Sequence, residues 1–134
     1  MPTHAAARAA AALLALEAIA IAGLVLWQLG ALLAGDTDSL ESAIALLVLT
    51  AIGAVAVFAF AVATWRGQSW GRSGGIVTQL LILAVALGAV TGVYAEPATG
   101  LLLAAPAIVT LVLLVIAVRA AGRESRDAAS PDAS

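Results

Sequence analysis

The chain has no cysteine, no lysine and only one histidine, His4, among its 134 residues. The absence of cysteine excludes disulfide bonds, thiolate metal sites and iron–sulfur clusters held by thiolates. Because His4 lies in the N-terminal tail, no histidine remains for a haem or zinc site in the apolar part of the sequence. The serines and threonines have no base beside them to form a nucleophile–base pair. We therefore expect a protein that is not an enzyme and that holds no cofactor or metal.

Charged residues are also scarce: they make up 10% of the chain, while 63% of the residues are hydrophobic. Soluble domains are about 25% charged and about 45–50% apolar, and a globule of this size could not hide so much apolar surface from water. The net charge of −2 argues against a nucleic-acid partner, which needs a basic surface. Lipid is the expected solvent, and the use of arginine and alanine indicates a GC-rich bacterial genome and hence a bacterial cell membrane.

Four apolar runs are long enough to cross a bilayer, which takes about 20 residues in an α-helix. They cover residues 10–34, 41–65, 76–94 and 99–118 approximately. The sequence therefore predicts an all-α fold, in which residues 1–118 form a polytopic bundle of four transmembrane helices. Residues 119–134 are small, polar and of mixed charge, and we expect them to be a disordered tail.

The basic residues predict the orientation of the four helices. All six arginines fall on one side of the predicted topology: Arg8, Arg66, Arg72, Arg119, Arg123 and Arg126. The loops on the opposite side, GDTDSLE and YAEPATG, contain acidic residues and no basic ones. Since arginine and lysine mark the cytoplasmic face of membrane proteins, we expect both termini in the cytoplasm.

Two prolines bear on the fourth span. Pro97 suits its first turn, where a missing N–H does no harm. Pro106 lies inside the span and frees the carbonyl of Leu102, which predicts a mild kink there, with Thr110 or a neighbouring helix satisfying the backbone.

The polar stretch RGQSWGRSGG, residues 66–75, is predicted to be the cytoplasmic turn between the second and third spans. Trp65 and Trp70 are expected at the level of the lipid headgroups, and Arg66 and Arg72 are expected to attract anionic lipid. The glycines of the stretch would let the chain reverse. A docking surface for a cytoplasmic partner is the alternative interpretation of this turn.

Glu17 is an acid inside the first span, nine residues beyond Arg8 and so about 13 Å deeper along a helix. An acid within the membrane is a functional hypothesis by default. Two structural interpretations compete with proton coupling: an interfacial position near the headgroups, or pairing with Gln79 of the third span or Arg66 of the second. The depths of Glu17 and Gln79 roughly match.

The third span also contains GAVTG, from Gly88 to Gly92, and Ala84 extends this stripe of small residues by one turn. Such stripes let helix backbones approach closely. Packing inside the bundle and dimerisation both explain the pattern.

From about Leu13 to Val118 the chain resembles small four-helix integral membrane proteins of actinobacteria that have no assigned function. The resemblance rests on LE at residues 16–17, WRGQSWGR at residues 65–72 and QL at residues 79–80. It implies the four-helix topology and no activity.

In outline the chain is also similar to the small multidrug resistance transporters, short four-helix proteins whose membrane-embedded glutamate in the first helix exchanges protons for cationic drugs. It differs from them in its longer first two spans, in the tryptophans of its turn and in lacking an aromatic lining around Glu17.

Two functions are therefore predicted from different classes. The first is a structural or accessory membrane protein, with membrane lipids and either a second copy or a larger membrane protein as its partners. The alternative is a small proton-coupled transporter that uses Glu17.

Overall fold

The computed structural model describes residues 2–129, and these residues form four α-helices without any β-strand. Each helix is long and apolar enough to cross a membrane, which confirms the predicted all-α, four-helix class. The helices are α1 (Pro2–Leu33), α2 (Leu40–Trp65), α3 (Ser69–Thr91) and α4 (Pro97–Ala129).

The end of α4 differs most from the prediction. The helix continues to Ala129, so a disordered tail is wrong for residues 119–129, while residues 130–134 lie outside the described part of the chain. The segment is polar, but alanine, arginine and glutamate are strong helix formers. Ala117 and Ala120 are buried, so α4 packs against the bundle as far as residue 120, while residues 122–129 continue the helix with exposed side chains.

Neighbouring helices are antiparallel and close into a ring. The most extensive packing joins α1 to α2 and α3 to α4, and thinner seams between α1 and α4 and between α2 and α3 complete the ring. All six arginines therefore lie towards one end of the bundle, and the two short acidic loops lie at the other.

Packing is concentrated at the arginine-bearing end. Leu14 of α1 and Leu114 of α4 are fully buried there, in a cluster with Ala10, Ala18, Val57 and Ala61. We call residues 2–18, 57–82 and 107–129 the arginine half, and residues 19–56 and 83–106 the acidic half. In the acidic half, only Ala86 and Gly100 are buried. The two halves thus differ sharply in how closely their helices meet.

Candidate functional site

Closely packed glycines on α3 set the position of Gln79, the largest fully buried polar side chain of the described residues. Gly71, Gly75 and Gln79 are all buried, and their spacing of four residues puts them on one face of the helix. A Cβ atom on Gly71 would lie 2.5 Å from the Cβ of Ala63 and 2.6 Å from the backbone nitrogen of Thr64. Only glycine therefore lets α3 approach α2 this closely, and the approach brings Gln79 to the centre of the bundle.

The predicted turn at residues 66–75 is consequently wrong beyond Gln68. α3 begins at Ser69, and Gly67 is the residue of the stretch with a left-handed backbone, with φ of +76°. The later glycines lie within α3, where their lack of a side chain lets the neighbouring helices approach closely, as small residues do in membrane bundles. Their spacing from Gln79 was the signal in the sequence that could have revealed this.

Gln79 and Glu17 meet across the bundle. The Nε2 atom of Gln79 donates a hydrogen bond of 2.7 Å to Oε2 of Glu17, joining α3 to α1. Gln79 is fully buried and Glu17 is half-buried. The structure therefore confirms the predicted pairing of Glu17 with Gln79.

The pair has an unused hydrogen-bonding capacity. Oε1 of Gln79 is buried, and no donor among the described residues reaches it. A glutamate carboxylate only accepts hydrogen bonds, whereas a protonated glutamate also donates one. Rotation of the Gln79 amide would present its oxygen to a protonated Glu17, so the same two side chains can bond in either protonation state.

An apolar cleft runs beside this pair, between α2 and α3. It has a volume of about 570 Å³, and Ile21 of α1 and Leu103 of α4 contribute to its lining. Ile21 lies one helical turn beyond Glu17, and Ile82, which also lines the cleft, lies one turn beyond Gln79. The polar pair therefore lies within about one helical turn of this apolar cleft.

Arginine and tryptophan meet where α1 begins and α2 ends. The guanidinium carbon of Arg8 lies 5.0 Å from the centre of the Trp65 ring, within the range of a cation–π contact. Trp65 and the adjacent Arg66 are both exposed. This contact was not predicted, because the two residues are far apart in the sequence.

The second tryptophan of the predicted turn lies on α3. Trp70 packs edge-on against Phe60 of α2, with ring centres 6.0 Å apart. Arg72 donates from Nη1 to the backbone carbonyl of Gly67 at 2.9 Å, so this arginine closes the turn.

The predicted stripe of small residues does not pack inside the bundle. Ala84 and Gly88 are exposed, on the side of α3 opposite to buried Ala86, and a Cβ on Gly88 would meet nothing within 4 Å. Gly92 is the cap of α3 and donates its N–H to the carbonyl of Gly88. Internal packing is therefore the wrong explanation of the stripe.

α4 is assigned as α-helix on both sides of Pro106. Thr110 donates its hydroxyl to the carbonyl of Pro106 at 2.8 Å, rather than to that of Leu102 as the sequence suggested. The predicted kink itself stays a prediction.

Comparison of the chain with protein-family models, with curated proteins and with solved structures finds no match in any of the three. The resemblance to actinobacterial four-helix proteins therefore stays a prediction. The function has to be argued from the geometry of this bundle.

Proposed function

We propose that the protein is a non-enzymatic, multi-pass protein of the bacterial plasma membrane, with both termini in the cytoplasm. In its acidic half, the outward face of α3 packs against another transmembrane helix, which belongs to a second copy or to a larger membrane protein. In this role the arginine half keeps the four helices together, and the face of α3 that carries Ala84 and Gly88 provides the contact surface.

The outward position of Ala84 and Gly88 is the observation that carries this proposal. The bundle uses the opposite face of α3 for its own packing, through Gly71, Gly75 and Gln79. A glycine in a helix interior destabilises it by about 1 kcal/mol relative to alanine. Small residues at lipid-facing positions gain nothing from lipid, but they let a second helix approach closely.

Disulfide crosslinking tests the contact. Because the chain has no native cysteine, an introduced cysteine is the one thiol of the chain that can form a disulfide bond. Gly88→Cys is oxidised in native membranes, and Gly23→Cys, whose Cβ also meets nothing within 4 Å, is the matched control on α1. We expect Gly88→Cys to give a band at twice the mass of the chain for a second copy, or a discrete heavier band for another protein. Monomer alone from both variants would contradict the contact.

The orientation rests on the arginines at one end of the bundle. It is tested by labelling single cysteines in intact cells with a maleimide that does not cross membranes. Thr37→Cys, in the loop between α1 and α2, should react from outside, and Ala128→Cys, near the end of α4, should react only after the cells are opened. The reverse pattern would overturn the orientation.

Proton-coupled transport is a second candidate, and the bond between Gln79 and Glu17 favours it specifically. The two side chains can bond with Glu17 charged or protonated, and a cleft of about 570 Å³ lies within about a turn of them. A carboxyl that exchanges a proton beside an accessible cleft is the minimum that coupling requires.

Proton flux into liposomes that contain the purified protein tests this candidate. Glu17→Gln should abolish the flux, whereas Glu41→Gln makes the same chemical change at an exposed position in the first turn of α2 and should leave the flux intact. An equal flux in wild type, in Glu17→Gln and in empty liposomes would exclude proton coupling.

A further inference from the structure

The outer seam between α1 and α2 contains a groove beside the contact between Arg8 and Trp65. Near the arginine-bearing end it is a hollow of about 410 Å³ whose lining includes Ala11, Ala15, Trp65 and Arg66. A second hollow of about 280 Å³ follows towards the middle of the bundle. Phe58 lines both hollows and is 56% exposed, so the two hollows adjoin at this side chain, and we call them together the alanine groove.

The two ends of the alanine groove differ in chemistry. The hollow at the arginine-bearing end contains Arg66, and Arg8 lies over the Trp65 ring beside it. The hollow further in is lined only by alanine, isoleucine, valine and phenylalanine. None of the described residues that line the groove is acidic. Its occupant therefore needs a negative charge at one end and a hydrocarbon chain at the other.

The length of the groove matches one leaflet of a bilayer. On α1 it extends from Ala11 to Ala22, which is about 16 Å along the helix. The hydrocarbon core of a membrane is about 30 Å thick, so each leaflet supplies about 15 Å. An acyl chain whose headgroup lies beside Arg66 would therefore reach the end of the groove at the bilayer midplane.

We propose that the alanine groove binds one anionic phospholipid, with its phosphate between Arg8 and Arg66 and an acyl chain along the alanines. Small side chains on α1 make room for the chain, and Phe58 packs against it. The site does not depend on which leaflet the arginine-bearing end faces, nor on the contact proposed for Ala84 and Gly88, which lie on α3 and do not line the groove.

Lipid retention by the purified protein tests this site. The protein in mild detergent is mixed with equal amounts of phosphatidylglycerol and phosphatidylcholine, and the lipids that stay bound are counted by native mass spectrometry. Wild type should retain one phosphatidylglycerol in preference to phosphatidylcholine. Arg66→Gln and Arg8→Gln should each lower this preference about fivefold, the value of one basic residue near anionic lipid.

Three further variants separate a groove from a general attraction by positive charge. Arg123→Gln removes an arginine from the same end, outside the groove, and should leave retention unchanged. Ala12→Leu fills the groove from an exposed position on α1 and keeps every charge, so it should lower retention as strongly as Arg66→Gln. Ala15→Leu should repeat that result one turn further in.

The proposal is wrong if Arg123→Gln lowers retention as much as Arg66→Gln does, because the attraction is then unspecific. It is equally wrong if both leucine variants, folded by circular dichroism, keep the wild-type preference. A loss of crosslinked dimer in Ala12→Leu without any loss of lipid would assign the groove to a second copy of the chain instead.

Discussion

The two halves of the bundle share an abundance of alanine, leucine, isoleucine and valine, and yet they pack very differently. In the arginine half, Leu14 and Leu114 are fully buried and glycines on α3 contact side chains of its neighbours. In the acidic half, Gly23 and Gly53 have nothing within 4 Å of where a Cβ would be. Since lipid tails are as apolar as leucine, burial gains little in a membrane and close packing decides which helices associate. Hydropathy therefore predicts the number and length of the spans, but not which parts of them are in contact.

Truncation of a buried leucine should show the largest difference between the halves. Leu114→Ala leaves a cavity in the packed cluster, and we expect the free energy of unfolding to fall by about 2 kcal/mol. This value is at the lower end of the range for soluble cores, because a leucine that leaves lipid tails gains little from burial and only the loss of packing remains. Leu102→Ala makes the same change on the same helix at a residue that is 77% exposed, and should lose less than about 0.5 kcal/mol. Reversible unfolding in mixed micelles, followed by tryptophan fluorescence, measures both, and equal losses would contradict the division into halves.

An added methyl group should be the next largest effect. Gly71→Ala forces a Cβ against the backbone of Thr64, which cannot move aside as a side chain would, and overpacking of this kind costs about 1–3 kcal/mol. Gly53→Ala adds the same atom in the acidic half, in open space, and should not destabilise the protein. A Gly71→Ala variant as stable as wild type would mean that α2 and α3 lie further apart than described.

The contrast between Gly71 and Gly53 also shows which features of the fold could be predicted from the sequence. The number of spans and the pairing of Glu17 with Gln79 follow from hydropathy and from matched depth along antiparallel helices. The start of α3 does not, because Gly71, Gly74 and Gly75 resemble a turn unless the neighbouring helices that press on them are known. The outward face of Ala84 and Gly88 was equally hidden, since residues 80–90 of α3 are all apolar and the helical period marks no polar side there.

The bond between Glu17 and Gln79 lies at the boundary of the halves and should contribute less than either packing effect. Double-mutant cycles on such bonds in membranes average about 0.6 kcal/mol and reach about 1.7 kcal/mol. We expect Glu17→Ala and Gln79→Ala to be non-additive by an amount in this range. The same unfolding experiment measures the cycle, and strictly additive losses would show that the two side chains do not interact in the folded protein.

A substitution on the outward face of α3 should have a small effect of the opposite sign. Gly88→Ala adds a methyl group where nothing lies within 4 Å, so it reduces the freedom of the unfolded chain without a clash and should stabilise the isolated protein by about 0.4–1 kcal/mol. Alanine is small enough to keep a helix contact, so crosslinking from a neighbouring Ala84→Cys should persist in this background. Gly88→Ile should be tolerated by the isolated bundle and yet abolish that crosslink, because a branched side chain keeps a second backbone away. If Gly88→Ile leaves the crosslink intact, α3 meets its partner elsewhere, and Gly88 faces only lipid.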